Sequence, residues 1–353
     1  MLLLVRKELF LQNFVKNSEK FVHVHSSLQA GIYYIFFCHF STISHQYNSN
    51  SYNWRYDSFL LSLAHKTEKT MKYKSRILSF AFVVLLCLVV QGQGIYVGTY
   101  NIRYQNKGDN NRGNGWKQRC PVICGQINFE HPDIFGAQEV LKGQLCDMKA
   151  LLKDYDHIGV GRDDGKSGGE HEVIFYDRSV VTLLEDGHFW LSETPEKPGL
   201  GWDAACTRIC TWGKFISAKW GRTFYFFNLH MDHVGVVARR ESAKLVVSRI
   251  REIAQDAPVI LTGDFNVDQR DEIYRIFVSN GLVDSYEGCQ MRFAENGTIN
   301  GFNPDRKTDS RIDHVFVSQG INVLRYGILT NCYWTDQGRR LPSDHYPVFV
   351  RLE

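Results

Sequence analysis

The sequence has no apolar run long enough to cross a bilayer, little net charge and few prolines. Its apolar run Ile77–Val90 has 14 residues, whereas a membrane-spanning helix needs about 20. The formal net charge is only +3 across 353 residues, and 8 of them are proline. With 44% hydrophobic residues, this average composition excludes a collagen-like, low-complexity or wholly disordered chain. The length fits either two domains or a single α/β domain of about 250 residues.

The first 92 residues differ from the rest. Positions 1–70 are crowded with Phe, Tyr, His, Asn and Ser, contain one Gly and no Pro, and show no helical or strand period. A short basic segment after Met71 is followed by the apolar run, which ends near the small residues Val90 and Gly92. This order is typical of a secretory signal peptide. A short membrane anchor or a core helix is the alternative.

These patterns predict three segments. We expect residues 1–70 to be a non-native, disordered upstream extension and residues 71–92 to be a signal peptide cleaved before Gln93. Residues 93–353 then form the folded domain, secreted or periplasmic.

The charge of the folded segment is slightly negative. Residues 1–92 hold ten Lys and Arg and four Asp and Glu, so the remainder holds 31 basic and 34 acidic residues, a net charge of −3. This balance argues against strong sequence-independent binding to long nucleic acid, which needs a basic footprint. It is compatible with a local basic cleft.

The cysteines lack the spacing of a zinc site. Seven of the nine follow Gln93, and the pairs Cys120/Cys124 and Cys206/Cys210 are four residues apart, so they are not CxxC pairs. No histidine spacing completes such a site. We interpret these cysteines as buried thiols or disulfides, with at least one unpaired because their number is odd.

Residues 93–353 show a strand-rich pattern with a few long helices, typical of one α/β domain. The helical spacing is clearest over 238–255, and 207–233 predicts a hairpin with its turn at Trp220–Arg222. Further strands are predicted within the ranges 95–104, 133–140, 169–192, 257–266, 311–318 and 343–353.

Polar residues gather where the predicted strands end. Rigid strand ends beside open loops are where functional residues concentrate. Carboxylate and amide oxygens suit Mg²⁺ or Mn²⁺, and histidines without thiolates suit acid–base or phosphate-contact chemistry. Taken singly, each could be a turn or helix cap. Together they suggest metal-assisted hydrolysis of a phosphate ester. These residues are Asn101, Glu139, His230, Asp264, Asn266, Asp313, Asp344 and His345.

The order of these motifs resembles one known family. The segments TYNIRY, DIFGAQEV, NLHMDH, LTGDFN, NGF, RIDHVFVS and SDHYPV follow one another between Thr99 and Glu353. Their order is similar to that of the endonuclease/exonuclease/phosphatase superfamily, and their details are similar to its exported bacterial-type branch. The resemblance implies a DNase I-like fold of the α/β class. This fold is a four-layer α/β sandwich, in which two mixed, mostly antiparallel β-sheets pack face to face with helices outside.

The resemblance also implies roles for individual residues. It implies metal ligands at Asn101, Glu139 and Asp344. It implies catalytic residues at His230, Asp264, Asn266, Asp313 and His345. It implies substrate contacts at Arg208 and Asn228. Of these, Arg208 could equally be a surface strand residue.

The function implied is that of an exported phosphoesterase dependent on Mg²⁺ or Mn²⁺. We expect a monomer without stable membrane insertion that hydrolyses phosphodiester bonds of nucleic acid or nucleotides by metal-assisted attack of water. The alternatives are a sphingomyelinase-like lipid phosphodiesterase and a sugar or inositol phosphate phosphatase. A non-catalytic binding module on the same fold is disfavoured because every matching polar position is filled.

Overall fold

The computed structural model describes residues 94–293 and 296–353. The predicted upstream extension at 1–70, the predicted signal peptide at 71–92 and the predicted start at Gln93 lie outside these described residues. Nothing in the remaining ranges therefore tests the predicted segment boundaries.

Strands dominate the described ranges. In chain order the strands are β1 (Ile95–Asn101), β2 (Ile134–Leu141), β3 (Tyr155–Ile158), β4 (Glu170–Asp177), β5 (Val181–Trp190), β6 (Ile209–Ser217), β7 (Thr223–His230), β8 (Val259–Asp264), β9 (Leu282–Asp284), β10 (Cys289–Phe293), β11 (Asp313–Ser318), β12 (Val323–Ile328), β13 (Tyr333–Thr335), β14 (Gly338–Arg340) and β15 (Val348–Leu352). The helices are α1 (Lys107–Asn111), α2 (Trp116–Glu130), α3 (Lys142–Leu151), α4 (Val236–Ala254), α5 (Glu272–Ser279) and α6 (Ser285–Gly288).

Two large sheets carry the fold. The first has the strand order β10-β12-β15-β1-β2-β4-β3, and the second has the order β5-β6-β7-β8-β11-β9. Strands β13 and β14 form a separate two-stranded ribbon. The pairs β1/β2, β10/β12 and β7/β8 are parallel, and the other pairs are antiparallel. The predicted mixed, mostly antiparallel sheets are confirmed.

The sheets pack face to face with helices outside, as predicted. The inner layer joins Ile134 and Ile174 of the first sheet to Phe226 and Ile260 of the second. A second apolar layer packs α4 and α5 on the outer face of the second sheet. A third packs α2 and α3 on the outer face of the first. Each sheet is thus buried on both faces, which explains its nearly continuous apolar strands.

Strand periodicity decides which polar residues enter the inner layer. In β7, Phe224 and Phe226 face the first sheet, whereas Tyr225 and Phe227 face α4. Because successive side chains alternate between faces, Asn228 and His230 continue the inner-facing series. The last residues of β1 and β8 and the first of β11 also lie on inner faces, so the polar ends converge at one rim.

Most predicted elements are confirmed, with two differences. Residues 343–347 do not extend the last strand, which begins only at Val348; Pro347 has no backbone N–H to donate to a ladder. The strands predicted within 169–192 belong to different sheets, β4 to the first and β5 to the second. The hairpin at 207–233 is confirmed.

Two further expectations bear on the described ranges. No helix there is long and apolar enough to cross a membrane. All seven cysteines within those ranges are free thiols, and Cys120, Cys124 and Cys210 are buried.

Candidate active site

A rung of hydrogen-bonded polar side chains lies between the sheets, below the rim. Asn228 donates to the carbonyls of Ala137 (3.1 Å) and Val173 (2.9 Å). Its side-chain oxygen accepts from Gln138 (2.6 Å) and from the Thr262 hydroxyl (3.2 Å). Every hydrogen-bonding group of this amide is therefore used inside the protein.

This placement corrects one prediction. Asn228 was expected to contact substrate, but its side chain is fully buried and binds both sheets together. The fit is tight, because a Cβ added at Gly136 would lie 2.2 Å from the Asn228 side-chain oxygen. Asn228 therefore has a structural role beneath the site.

One strand step above this rung, Asn101 joins the two sheets at the rim. Its amide nitrogen donates to Glu139 Oε1 (2.9 Å) on the first sheet and to Asp264 Oδ2 (3.0 Å) on the second. Its side-chain oxygen accepts from the backbone N–H of Arg103 (3.0 Å). The amide thus sets the separation of two carboxylates that would otherwise repel each other.

Glu139 reaches the rim because of a backbone irregularity. By simple alternation it would face α2 and α3, like Phe135 and Ala137. The β2/β4 register shifts between Ala137 and Val140, and Glu139 has φ of 62°. Left-handed backbone at a non-glycine residue is uncommon and is often found at functional sites. The bulge turns the carboxylate to Asn101 and to the backbone N–H of Tyr104 (3.0 Å).

Asp264 occupies the centre of the rim. The parallel register pairs it with His230, whose Nε2 lies 3.4 Å from Asp264 Oδ2. The preceding Gly263 allows this approach, since a Cβ there would lie 2.2 Å from the Leu229 carbonyl oxygen. Burial, reinforced by the Asp313 carboxylate, raises the pKa of Asp264 to about 7. A carboxyl with such a pKa can exchange a proton near neutral pH.

Asn266 is anchored beside Asp264. Its backbone N–H donates to Asp264 Oδ1 (3.0 Å), and its amide nitrogen donates to the Met231 carbonyl (2.9 Å). The backbone at Asn266 is left-handed, with φ of 51°, a conformation that asparagine tolerates better than most residues. These bonds leave the side-chain oxygen as the group that can orient a water molecule.

His345 and Asp313 form a hydrogen-bonded pair. Nδ1 of His345 lies 2.9 Å from Asp313 Oδ2, and Nε2 lies 3.7 Å from Asp264 Oδ2. Burial acts to lower the pKa of His345, but the carboxylates of Asp313 and Asp264 outweigh it and raise this pKa well above its usual range. A protonated imidazole can donate to a phosphate oxygen.

His230 has the opposite character. Burial and the Arg208 guanidinium lower the pKa of His230 well below its usual range. The ring is therefore neutral, and only one of its nitrogens carries a proton. The two histidines of the rim thus offer one cationic and one neutral imidazole.

Arg103 belongs to the site, although the sequence reasoning missed it. Its Nη1 lies 3.5 Å from Asp344 Oδ2 and 3.9 Å from Glu139 Oε2, and its Nε donates to Asp109 Oδ2 (2.9 Å). It lies inside the quoted motif TYNIRY, and its left-handed backbone (φ of 59°) is invisible in the sequence. In the sequence, the position of Arg103 within that motif is the only indication that it belongs to the site.

The carboxylates fit a hard divalent cation. Burial raises the pKa of Asp344, and the charge of Glu139 contributes to the rise. The Glu139 and Asp344 carboxylates both lie near Arg103 Nη1, at 3.9 Å and 3.5 Å, and two like charges in one site favour a further cation. Their oxygens, with the Asn101 amide beside them, are donors that Mg²⁺ and Mn²⁺ accept. Ligand atoms of Glu139, His230 and Asp264 also lie within 4.8 Å of one another.

A second polar group beyond His230 was also missed. Glu170 and Glu172 project from β4, and their carboxylates lie within 4.8 Å of a His230 ring nitrogen. Arg162 donates to Glu170 (2.7 Å), and Arg208 lies close to Asp232 (3.4 Å). Two glutamates at strand period in the apolar stretch EHEVIFYD could have indicated them, because a charged residue is seldom buried without a reason.

Glu172 makes the stability of the protein depend on pH. Burial raises its pKa to about 8 from the ordinary value of 4.5, despite nearby Arg162. Between these pH values the folded state keeps a proton that the unfolded state has released, so stability falls as pH rises through this window. At pH 8 the accumulated cost is several kcal/mol, since one pKa unit corresponds to about 1.4 kcal/mol.

Replacing Glu172 should remove that cost. We expect Glu172→Gln to raise the melting temperature clearly at pH 8 and little at pH 4.5, because the amide mimics the protonated carboxyl. Thermal unfolding at several pH values measures this difference. Glu252→Gln, on the exposed side of α4, is the matched control and should leave the profile unchanged. An equal effect of Glu172→Gln at both pH values would contradict this account.

Residues 98–345 match the family model described as the Endonuclease/Exonuclease/phosphatase family. A solved mannosyl-6-phosphatase of Bacteroides thetaiotaomicron is 52% identical, with a TM-score of 0.72, over 73% of this chain and 99% of that one. An endonuclease/exonuclease/phosphatase of Bacteroides vulgatus is 36% identical, with a TM-score of 0.68, over 74% and 99%. The uncharacterized protein L388 of Acanthamoeba polyphaga mimivirus is 27% identical over 67% of this chain and 92% of its own. The chain therefore belongs to the endonuclease/exonuclease/phosphatase family of phosphoester hydrolases and has its DNase I-like fold.

Proposed function

We propose that this protein is a metal-dependent phosphatase that removes phosphate from sugar monophosphates such as mannose 6-phosphate. The observation that carries the proposal is its 52% identity, over 99% of the relative's length, to a mannosyl-6-phosphatase. A sugar phosphate phosphatase was one of the alternatives that the sequence left open. We propose it in place of the leading expectation, a phosphodiesterase that acts on nucleic acid or nucleotides. The net charge of −3 over residues 93–353 supports the change, because long nucleic acid favours a basic surface.

Asp264 and Asn266 act on the attacking water in the proposed mechanism. The Asn266 side-chain oxygen orients the water, and Asp264 accepts its proton as the new bond to phosphorus forms. The bond from phosphorus to the sugar oxygen breaks in the same step, and the leaving oxygen takes up a proton from solvent. The raised pKa of Asp264 suits a group that takes and releases a proton near neutral pH. Asn101 keeps this carboxylate in place by its hydrogen bond.

His345 and His230 contact the phosphate in the same mechanism. The protonated His345 donates to a phosphoryl oxygen and stabilises the charge that develops there, while Asp313 fixes its ring and its tautomer. His230 lies on the other side of Asp264 and donates as a neutral imidazole. Arg208 remains a predicted phosphate contact, close enough to affect the pKa of His230.

Glu139 and Asp344 would hold Mg²⁺ or Mn²⁺, with Asn101 beside them. When bound, the cation supplies charge neutralisation for the phosphate oxygens and polarises the phosphorus–oxygen bond. Arg103 supports the same two carboxylates through its guanidinium.

A substrate panel tests the proposal. The purified protein with Mg²⁺ or Mn²⁺ is assayed on mannose 6-phosphate, p-nitrophenyl phosphate, bis-p-nitrophenyl phosphate, single-stranded DNA and sphingomyelin. We expect release of inorganic phosphate from mannose 6-phosphate at the highest kcat/KM, its loss in EDTA, and its return when metal is added back. Faster cleavage of DNA or sphingomyelin than of mannose 6-phosphate would contradict the substrate assignment. Full activity in EDTA would contradict the metal requirement.

The His345–Asp313 pair should act as one unit. We expect His345→Ala to lower kcat by about 10²-fold or more, the scale for losing an acid–base group. Asp313→Ala should lower kcat less, because Asp313 orients the ring without touching phosphate. The double variant should be little worse than His345→Ala alone. Steady-state kinetics measures all three, with circular dichroism as the folding control. Fully additive losses would show that Asp313 acts independently.

We further propose that the enzyme acts outside the cytoplasm. The support is the basic segment, apolar run and small residues within 71–92. N-terminal sequencing of the exported protein should give a start near Gln93. An exported protein that retains residues 1–70 would refute the proposed cleavage.

A further inference from the structure

Four charged residues lie near His230: Glu170 and Glu172 on β4, and Arg162 and Arg208 on the segments that precede β4 and β6. We call Arg162, Glu170, Glu172 and Arg208 the mixed-charge cluster. Arg162 Nη1 donates to Glu170 Oε2 (2.7 Å), and Arg208 Nε lies 3.4 Å from Asp232 Oδ2. The glutamate oxygens lie within 4.8 Å of a His230 ring nitrogen. The cluster therefore adjoins a histidine assigned to the phosphate.

Several polar atoms of the cluster are buried without a hydrogen-bond partner. They are both carboxylate oxygens of Glu172, Nε of Arg162 and Nη1 of Arg208. The exposed fractions of these three residues are 0%, 9% and 4%. A buried polar group without a partner is destabilising, and native proteins keep such groups rare.

The cluster also has an opening to solvent. The Glu170 side chain retains 13% of its exposure, and His233, whose Nδ1 lies 3.0 Å from Arg208 Nη2, is exposed. A group that served stability alone would be better replaced by apolar residues. Unused donors and acceptors that begin at a solvent-facing edge beside the reaction centre are the features of a ligand subsite.

The charges indicate what kind of ligand would bind. Arg162 is neutralised by Glu170 and Arg208 by Asp232, so no charge of either sign predominates. The two guanidinium groups disfavour a second metal ion, and the carboxyl groups disfavour a second anion. A neutral ligand that both donates and accepts hydrogen bonds matches this set, and hydroxyl groups have that property.

We propose that the mixed-charge cluster binds hydroxyl groups of the sugar in the phosphorylated substrate, and thereby selects sugar phosphates over other phosphate monoesters. Guanidinium N–H groups donate to the hydroxyl oxygens, and the glutamates accept from or donate to the same hydroxyls. This inference rests on the proposed function and names residues that determine its specificity.

The test compares substrates with and without the sugar. Wild type, Glu170→Gln and Arg162→Lys are assayed over a range of Mg²⁺ concentrations up to saturation, on mannose 6-phosphate and p-nitrophenyl phosphate. We expect each substitution to lower kcat/KM for mannose 6-phosphate at least about tenfold more than for p-nitrophenyl phosphate, the scale for losing a hydrogen bond to a substrate hydroxyl. Glu252→Gln, a matched change on α4, should leave kcat/KM unchanged for both substrates.

Deoxy analogues of mannose 6-phosphate locate the contact. In wild type, removal of the hydroxyl that meets Glu170 should lower kcat/KM about tenfold or more. In Glu170→Gln the same removal should have a much smaller effect, because the partner has already been altered. A purely structural role for Glu170 would leave these substrate differences unchanged.

The other outcomes overturn the inference in separate ways. Equal losses of kcat/KM on both substrates would show that the cluster only positions His230. A shifted Mg²⁺ requirement in Glu170→Gln would show that the cluster is a metal site. Wild type that hydrolyses mannose 6-phosphate with selectivity unaffected by either substitution would refute the subsite while the proposed function stands. Wild type that hydrolyses p-nitrophenyl phosphate but not mannose 6-phosphate would refute the proposed function and the subsite with it.

Discussion

The amide of Asn101 is the interaction on which the site depends. Its two N–H bonds reach Glu139 on one sheet and Asp264 on the other. An amide is suited to this position, because it donates twice and carries no charge of its own. A charged residue there would change the charge balance between these two carboxylates, and an apolar residue would remove one hydrogen bond from each of them. The geometry of the candidate active site is thus tied to how the two sheets pack against each other.

The rung below Asn101 explains why that arrangement is rigid. Asn228 uses every polar group of its side chain to join β2, β4, β7 and β8. A buried side chain whose polar groups are all satisfied in this way favours one packing over others. The network fixes β7 against β8, and the same register carries His230 to Asp264. The internal polar contacts and the candidate active site therefore lie at successive positions along the same strands.

Above this rung the protein tolerates groups that oppose stability. The rim contains one cationic and one neutral histidine, and a central aspartate whose pKa is raised to about 7. Beside them Glu172 is buried with both oxygens unpartnered. Such costs cluster at functional sites, where they set protonation states and leave donors free for a ligand. The apolar side chains of the inner layer, which include Ile134, Ile174 and Phe226, offset these costs.

The sequence alone determined the class of fold, the order of the strands along the chain and the polar residues at their ends. Strand period and motif order are local properties of the chain. It could not decide the face or depth of every residue. Asn228 and His230 lie two residues apart on the same face of β7, about 6.6 Å along the strand. Asn228 is enclosed between the sheets, whereas His230 lies at the rim. Alternation would point Glu139 to the outer helices, and only the bulge against β4 turns it inward. Arg103 meets Glu139 and Asp344, and Arg208 meets Asp232, so the surroundings of both arginines depend on packing that no single stretch of sequence encodes.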